Sequence, residues 1–128
     1  GMSALHKGIE IEFSAKPTEK LSIETSASLG NWKWSKDATA VFMNNYIEIT
    51  DSTAYYKGLY VGGAPQTQIY AGLNYEFPGN FSAHFDWNFY DRLNATVDPS
   101  TRTNPADRVQ PFRLPSYSIV EGFVSKAV

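Results

Sequence analysis

Residues 68–90, QIYAGLNYEFPGNFSAHFDWNFY, alternate apolar and polar side chains on both sides of one tight turn. Ile69, Ala71, Leu73, Tyr75 and Phe77 share one parity on the first arm, and Phe81, Ala83, Phe85, Trp87 and Phe89 share it on the second. Gly72, Asn74, Glu76, Ser82, His84, Asp86 and Asn88 take the other parity. A period of two sends successive side chains to opposite faces of a strand, so the stretch is an antiparallel hairpin with one greasy and one wet face. Pro78-Gly79-Asn80 supplies the turn between the arms. The greasy face must meet either a protein core or lipid.

The same period recurs elsewhere, and helical periodicity does not. In KGIEIEFSAK, residues 7–16, Ile9, Ile11, Phe13 and Ala15 oppose Glu10, Glu12, Ser14 and Lys16. After Pro17-Thr-Glu-Lys, Leu21, Ile23, Thr25, Ala27 and Leu29 oppose Ser22, Glu24, Ser26 and Ser28, and the arm ends in Trp32 and Trp34. Strands are expected over about 7–16, 21–34, 66–77, 81–92 and 116–126, the last with poor alternation. The stretches 35–65 and 93–114 are long loops. Within the first, AVFMNNYIEI (40–49) and AYYKGLYV (54–61) carry weaker strand signals and read as an extra hairpin. The expected fold is all-β: one domain over 1–128, an antiparallel up-and-down meander of five to seven strands.

Connections thus alternate short, long, short, long. Compact soluble domains join strands by a few residues throughout. Outer-membrane barrels combine short turns at one end with long loops at the other, and about ten residues of tilted strand cross the bilayer. The pattern therefore reads as a section of an outer-membrane β-barrel. Ile9, Ile11, Phe13, Ile23, Leu73, Phe85, Trp87 and Phe89 would face lipid. Glu10, Glu12, Glu24, Asn74, His84, Asp86 and Asn88 would face a lumen. Aromatic residues sit near strand ends, as interfacial anchoring requires, with Phe77 and Phe81 at the short turn and Trp32, Trp34 and Tyr90 at the far ends.

Composition narrows the chemistry. The chain has 11 basic and 13 acidic residues, for a net charge of -2, without the clustered positive footprint that nucleic acid demands. It has no cysteine, which removes disulfides and thiolate metal sites, and no run of 18 apolar residues for a membrane-crossing helix. His84 and Asp86 share a strand face, but two ligands do not close a metal shell. Glu10, Glu12 and Glu24 carry no sign of an acid–base pocket and read as a solvated face. Gly62-Gly63 lacks the Lys and Ser/Thr of a phosphate loop. No catalytic set, metal site or cofactor site is expected. Trp32, Trp34 and Tyr90 form a weak candidate for ligand binding at the extracellular mouth.

The segments HKGIEIEFSAKPTEKLSIETSASLGNWKW, GLYVGGAPQTQIYAGLNYEF and LPSYSIVEGF, in this order, resemble the C-terminal barrel of TonB-dependent outer-membrane receptors of Bacteroidetes-like bacteria. The shared pattern is a strand opening Gly8–Glu10, a short turn at Pro17–Lys20, an ascending strand ending at Trp32–Trp34, and Gly62–Thr67 before the next strand. The resemblance implies a parent in the cell outer membrane that imports a scarce nutrient: a siderophore, a vitamin complex or a glycan. It also implies contact with the TonB complex through a plug, a segment not visible in these residues. Such transporters have about 22 strands, so this chain corresponds to a fragment without transport activity, expected to form a homodimer when isolated. The alternative is a small soluble β-barrel or sandwich that binds an apolar ligand inside.

Overall fold

The computed structural model describes residues 2–44 and 47–127, and their side chains except those of 40–52. Seven strands follow one another: β1 (Ala4–Thr18), β2 (Leu21–Trp34), β3 (Ala38–Asn44), β4 (Ile47–Ala54), β5 (Pro65–Phe77), β6 (Phe81–Leu93) and β7 (Tyr117–Lys126). One turn of 3₁₀ helix, Pro99–Thr101, lies between β6 and β7. The strands form a five-stranded sheet in the order β1-β2-β5-β6-β7 and a separate β3-β4 pair. The all-β antiparallel meander expected from the alternation is present. β1 is longer than its alternating core, reaching from Ala4 to Thr18. Asn45 and Tyr46, inside the expected 40–49 strand, lie outside the described residues.

The expected strand over 54–61 does not form. The chain instead leaves β4 at Ala54 and bends at Gly58, whose φ of 84° is a left-handed value that glycine adopts without strain. Only a single bridge, Lys33 to Tyr60, remains of strand pairing there.

The chain divides into two compact units: residues 1–7, 31–64 and 93–114 in the first, and 8–30, 65–92 and 115–128 in the second. The first unit has a core of its own. Tyr56 and Leu59, each 1% exposed, pack with Ala38 and Ala54, and Trp34 and Val97 lie against them. Side-chain anchors hold the stretch 93–114 in place. The Gln110 amide accepts from Tyr60 N (3.0 Å) and donates to the Gly58 carbonyl (3.2 Å). Arg108 forks onto both oxygens of Asp37 at 2.8 and 3.0 Å, and Asp37 Oδ1 also accepts from Lys57 N at 2.7 Å. These bonds hold the Asp37 carboxyl down to about 2, with the Arg108 guanidinium as the largest cause. Gly62 is required by packing, because a Cβ there would overlap the Ala95 carbonyl.

The second unit is the body of the five-stranded sheet. β2 pairs with β5 from Leu21↔Tyr75 to Leu29↔Thr67, and β6 pairs with β7 from Phe81↔Lys126 to Tyr90↔Tyr117. Its turns are tight. Thr18 Oγ1 accepts from Lys20 N and Leu21 N, and Gly79 and Asn80 supply consecutive positive φ values of 83° and 61°. Among the described residues, this unit buries no apolar side chain beyond the glycines; Gln66 and Thr67 are its buried side chains.

Candidate functional site

The two parities of the sheet stand on opposite faces, and their chemistry differs sharply. On the apolar face, directly paired residues include Ile23↔Leu73, Ala27↔Ile69, Ala83↔Val124 and Trp87↔Val120. Phe13 is 58% exposed on this face and Val124 72%. Ile9, Ile11, Leu73 and Phe85 are exposed too, while Ile23, Trp87 and Phe89 are half-buried by their neighbours within the sheet. Within the second unit no charged residue interrupts this parity until Asp91 at one end of β6 and Lys126 at the opposite end of the paired β7.

The other face carries the carboxylates and the hydrogen-bonding side chains. Ser28 Oγ donates to Glu10 Oε1 at 3.5 Å, which puts Glu10 and Ser28 on one face. Tyr70 donates its hydroxyl to Asp86 Oδ1 at 2.7 Å, and His84 Nε2 lies 2.7 Å from Asp86 Oδ2. His84 in turn stacks on Phe123 across the β6–β7 pair, with ring centroids 4.9 Å apart. Gly72 lies beneath this chain. A Cβ there would overlap the Tyr70 hydroxyl and come within 3.0 Å of Asp86 Oδ1. The glycine thus clears the path by which a tyrosine reaches the carboxylate. Among the described residues, three hollows open on this face. One is lined by Glu10, Glu12, Ser26, Gln68 and Asn88, a second by Glu12, Glu24 and Ser26, and a third by Ser22, Glu24, Asn74 and His84; Tyr70 borders all three.

The seven residues assigned to a lumen therefore share one face with the Tyr70–Asp86–His84 chain. The three aromatic residues considered for a mouth do not share one environment. Trp32 stacks on His6, with centroids 5.1 Å apart. Trp34 packs edge-on against Tyr56 at 5.3 Å, beside the core of the first unit. Tyr90, in the second unit, meets Tyr117 at 5.1 Å. Tyr70 and Gly72 escaped sequence reasoning as a pair. Their signal was a tyrosine on the polar parity, two residues before a glycine on the same parity.

The arrangement is a chain of hydrogen bonds among polar side chains, with Asp86 shared between Tyr70 and His84. Ser82 Oγ lies 2.7 Å from Ser125 Oγ, a hydroxyl rather than a base. Among the described residues, no three metal-ligating side chains converge. No protein-family model, curated protein or solved structure matches this chain.

Proposed function

We propose that this chain is a section of the barrel of a TonB-dependent outer-membrane receptor that imports a siderophore, a vitamin complex or a glycan. The section itself transports nothing. The observation that carries the reading is the uncovered apolar face, free of charge between Asp91 and Lys126, backed by a carboxylate-bearing polar face. In a transmembrane barrel the first meets hydrocarbon and the second meets water or a plug. β5 and β6 have 13 residues each, enough for a tilted crossing of the bilayer. β1 and β7 are exposed along their lengths, which suits strands whose outer edges continue a larger sheet.

A small soluble barrel with an apolar interior fits less well. Its ligand cavity would open among the apolar side chains, whereas the hollows of this sheet open among Glu10, Glu24, Asn74 and His84. The test is fractionation of the source cells with an antiserum raised against residues 93–114. The reading expects the antigen in the outer-membrane fraction, on a chain far heavier than 14.3 kDa. A soluble antigen of about that mass would sink it.

A further inference from the structure

We infer that, in water and away from lipid, two copies of this chain close face to face over the apolar side of the five-stranded sheet. Each copy then supplies the layer that the other lacks. The inference stands on the uncovered face and not on the receptor reading.

Area is the first argument. Five strands about 4.8 Å apart, each with about ten residues rising about 3.3 Å, give the apolar face a footprint of about 800 Å², which is what each partner contributes to a standard interface. Ile9, Ile11, Phe13, Leu73, Phe85 and Val124 stand exposed on it.

Charge is the second. Sheets in a sandwich pack about 10 Å apart, close enough that a charge between them would be stripped of water at a cost of several kcal/mol. Asp91 and Lys126 stand at opposite ends of the β6–β7 pair, so the middle of the face carries none. The opposite face carries Glu10, Glu12, Glu24, Asp86 and Glu121, and a second copy laid there would meet like charge.

Topology is the third. An antiparallel sheet with one apolar face is half of a two-layer domain. Curling into a filled barrel takes about eight strands, and this sheet has five. Pairing at the edges of β1 or β7 would extend the sheet while leaving the apolar face wet.

Sedimentation equilibrium of the 128-residue chain in detergent-free buffer reads the outcome. The expected mass is twice 14.3 kDa at micromolar concentration. Leu73→Glu or Phe85→Glu should give a monomer with its β circular dichroism retained, and Asn74→Glu should stay dimeric. The chain has no cysteine, so single substitutions report the face directly. Leu73→Cys should crosslink between copies through a short bis-maleimide, and Asn74→Cys should not. This arm decides where a charged variant fails to fold. A stable monomer, a broad series of higher oligomers, or crosslinking from Asn74→Cys in place of Leu73→Cys would each overturn the inference. The receptor reading is judged separately by the cell fractionation. A dimer in water with a soluble native antigen would uphold this inference while sinking that reading.

Discussion

The two units of this chain solve the problem of apolar side chains in opposite ways. Residues 1–7, 31–64 and 93–114 show no clean periodicity, yet they enclose Tyr56 and Leu59 almost completely. Residues 8–30, 65–92 and 115–128 include the most regular alternation in the sequence, over 8–29 and 68–90, yet leave Phe13, Leu73, Phe85 and Val124 in the open. Regular patterning fixes which face a residue occupies; it does not supply the second layer. In the first unit that layer comes from the chain itself, through anchors such as Gln110 on Gly58 and Arg108 on Asp37. In the second, no described residue of the unit supplies it.

The sharpest way to break this contrast is to hollow out the enclosed core. Tyr56→Ala should cost about 3–5 kcal/mol and Leu59→Ala about 2–5 kcal/mol, because each removes a side chain with no room to relax. Urea unfolding should give the same loss at every protein concentration. Leu73→Ala should instead show a loss that grows with concentration, since its burial requires a second molecule.

The next test places the sheet in a bilayer within the full-length receptor proposed above. Leu73→Arg or Phe85→Arg should cost about 2–4 kcal/mol at the membrane midplane. Apolar replacements of Glu24, Ser26, Asn74 or Asp86 should leave insertion intact. Unfolding of reconstituted protein measures both, and equal penalties on the two parities would erase the distinction between the faces.

A smaller effect is expected under Tyr70. Gly72→Ala should push the tyrosine hydroxyl off Asp86 and cost about 1–3 kcal/mol, the range for losing a hydrogen bond to a charged partner. In a Tyr70→Ser background the obstacle is gone, so the same substitution should cost clearly less. A double-mutant cycle on the sheet detects the coupling.

The smallest effect belongs to Asp37, whose partner Arg108 is partly exposed. Asp37→Asn should cost no more than about 1 kcal/mol at neutral pH. The folded carboxyl is held at about 2 against an ordinary value of 3.8, so the contribution is present above 3.8 and lost as pH falls toward about 2. The difference between wild type and variant in urea midpoint should therefore be flat at neutral pH and shrink in acid.

The five-stranded sheet was legible in the sequence because alternation over ten or more residues has one structural meaning. Ile9 to Ala15 and Ile69 to Phe77 admit no other period. The tight turns were legible from Pro17-Thr18-Glu19-Lys20 and from Pro78-Gly79-Asn80, although β1 runs through Pro17 to Thr18 and the first turn falls on Glu19 and Lys20. The first unit was not. Its order rests on contacts such as Asp37 to Arg108, 71 residues apart, which leave no periodic trace. The stretch 54–61 has the aromatic composition of a strand, with Tyr55, Tyr56 and Tyr60, but Tyr56 and Leu59 pack in the core and Gly58 turns the chain. Of the candidate site, the face of each residue was readable from parity. The Tyr70 bond to Asp86 was not, because it depends on the space left by Gly72.

The central claim is that the two parities of one strand see different solvents. Single-cysteine spin labels at each position from Gln68 to Phe77, placed in the proposed full-length receptor in outer-membrane vesicles, test it most directly. Collisions with dissolved oxygen, which concentrates in hydrocarbon, and with a water-soluble nickel chelate are measured at every site. The account predicts that oxygen access peaks at Ile69, Ala71, Leu73 and Tyr75, and that nickel access peaks out of phase at Gln68, Tyr70, Gly72 and Asn74. Equal access on both parities, or nickel access highest at Leu73, would contradict it.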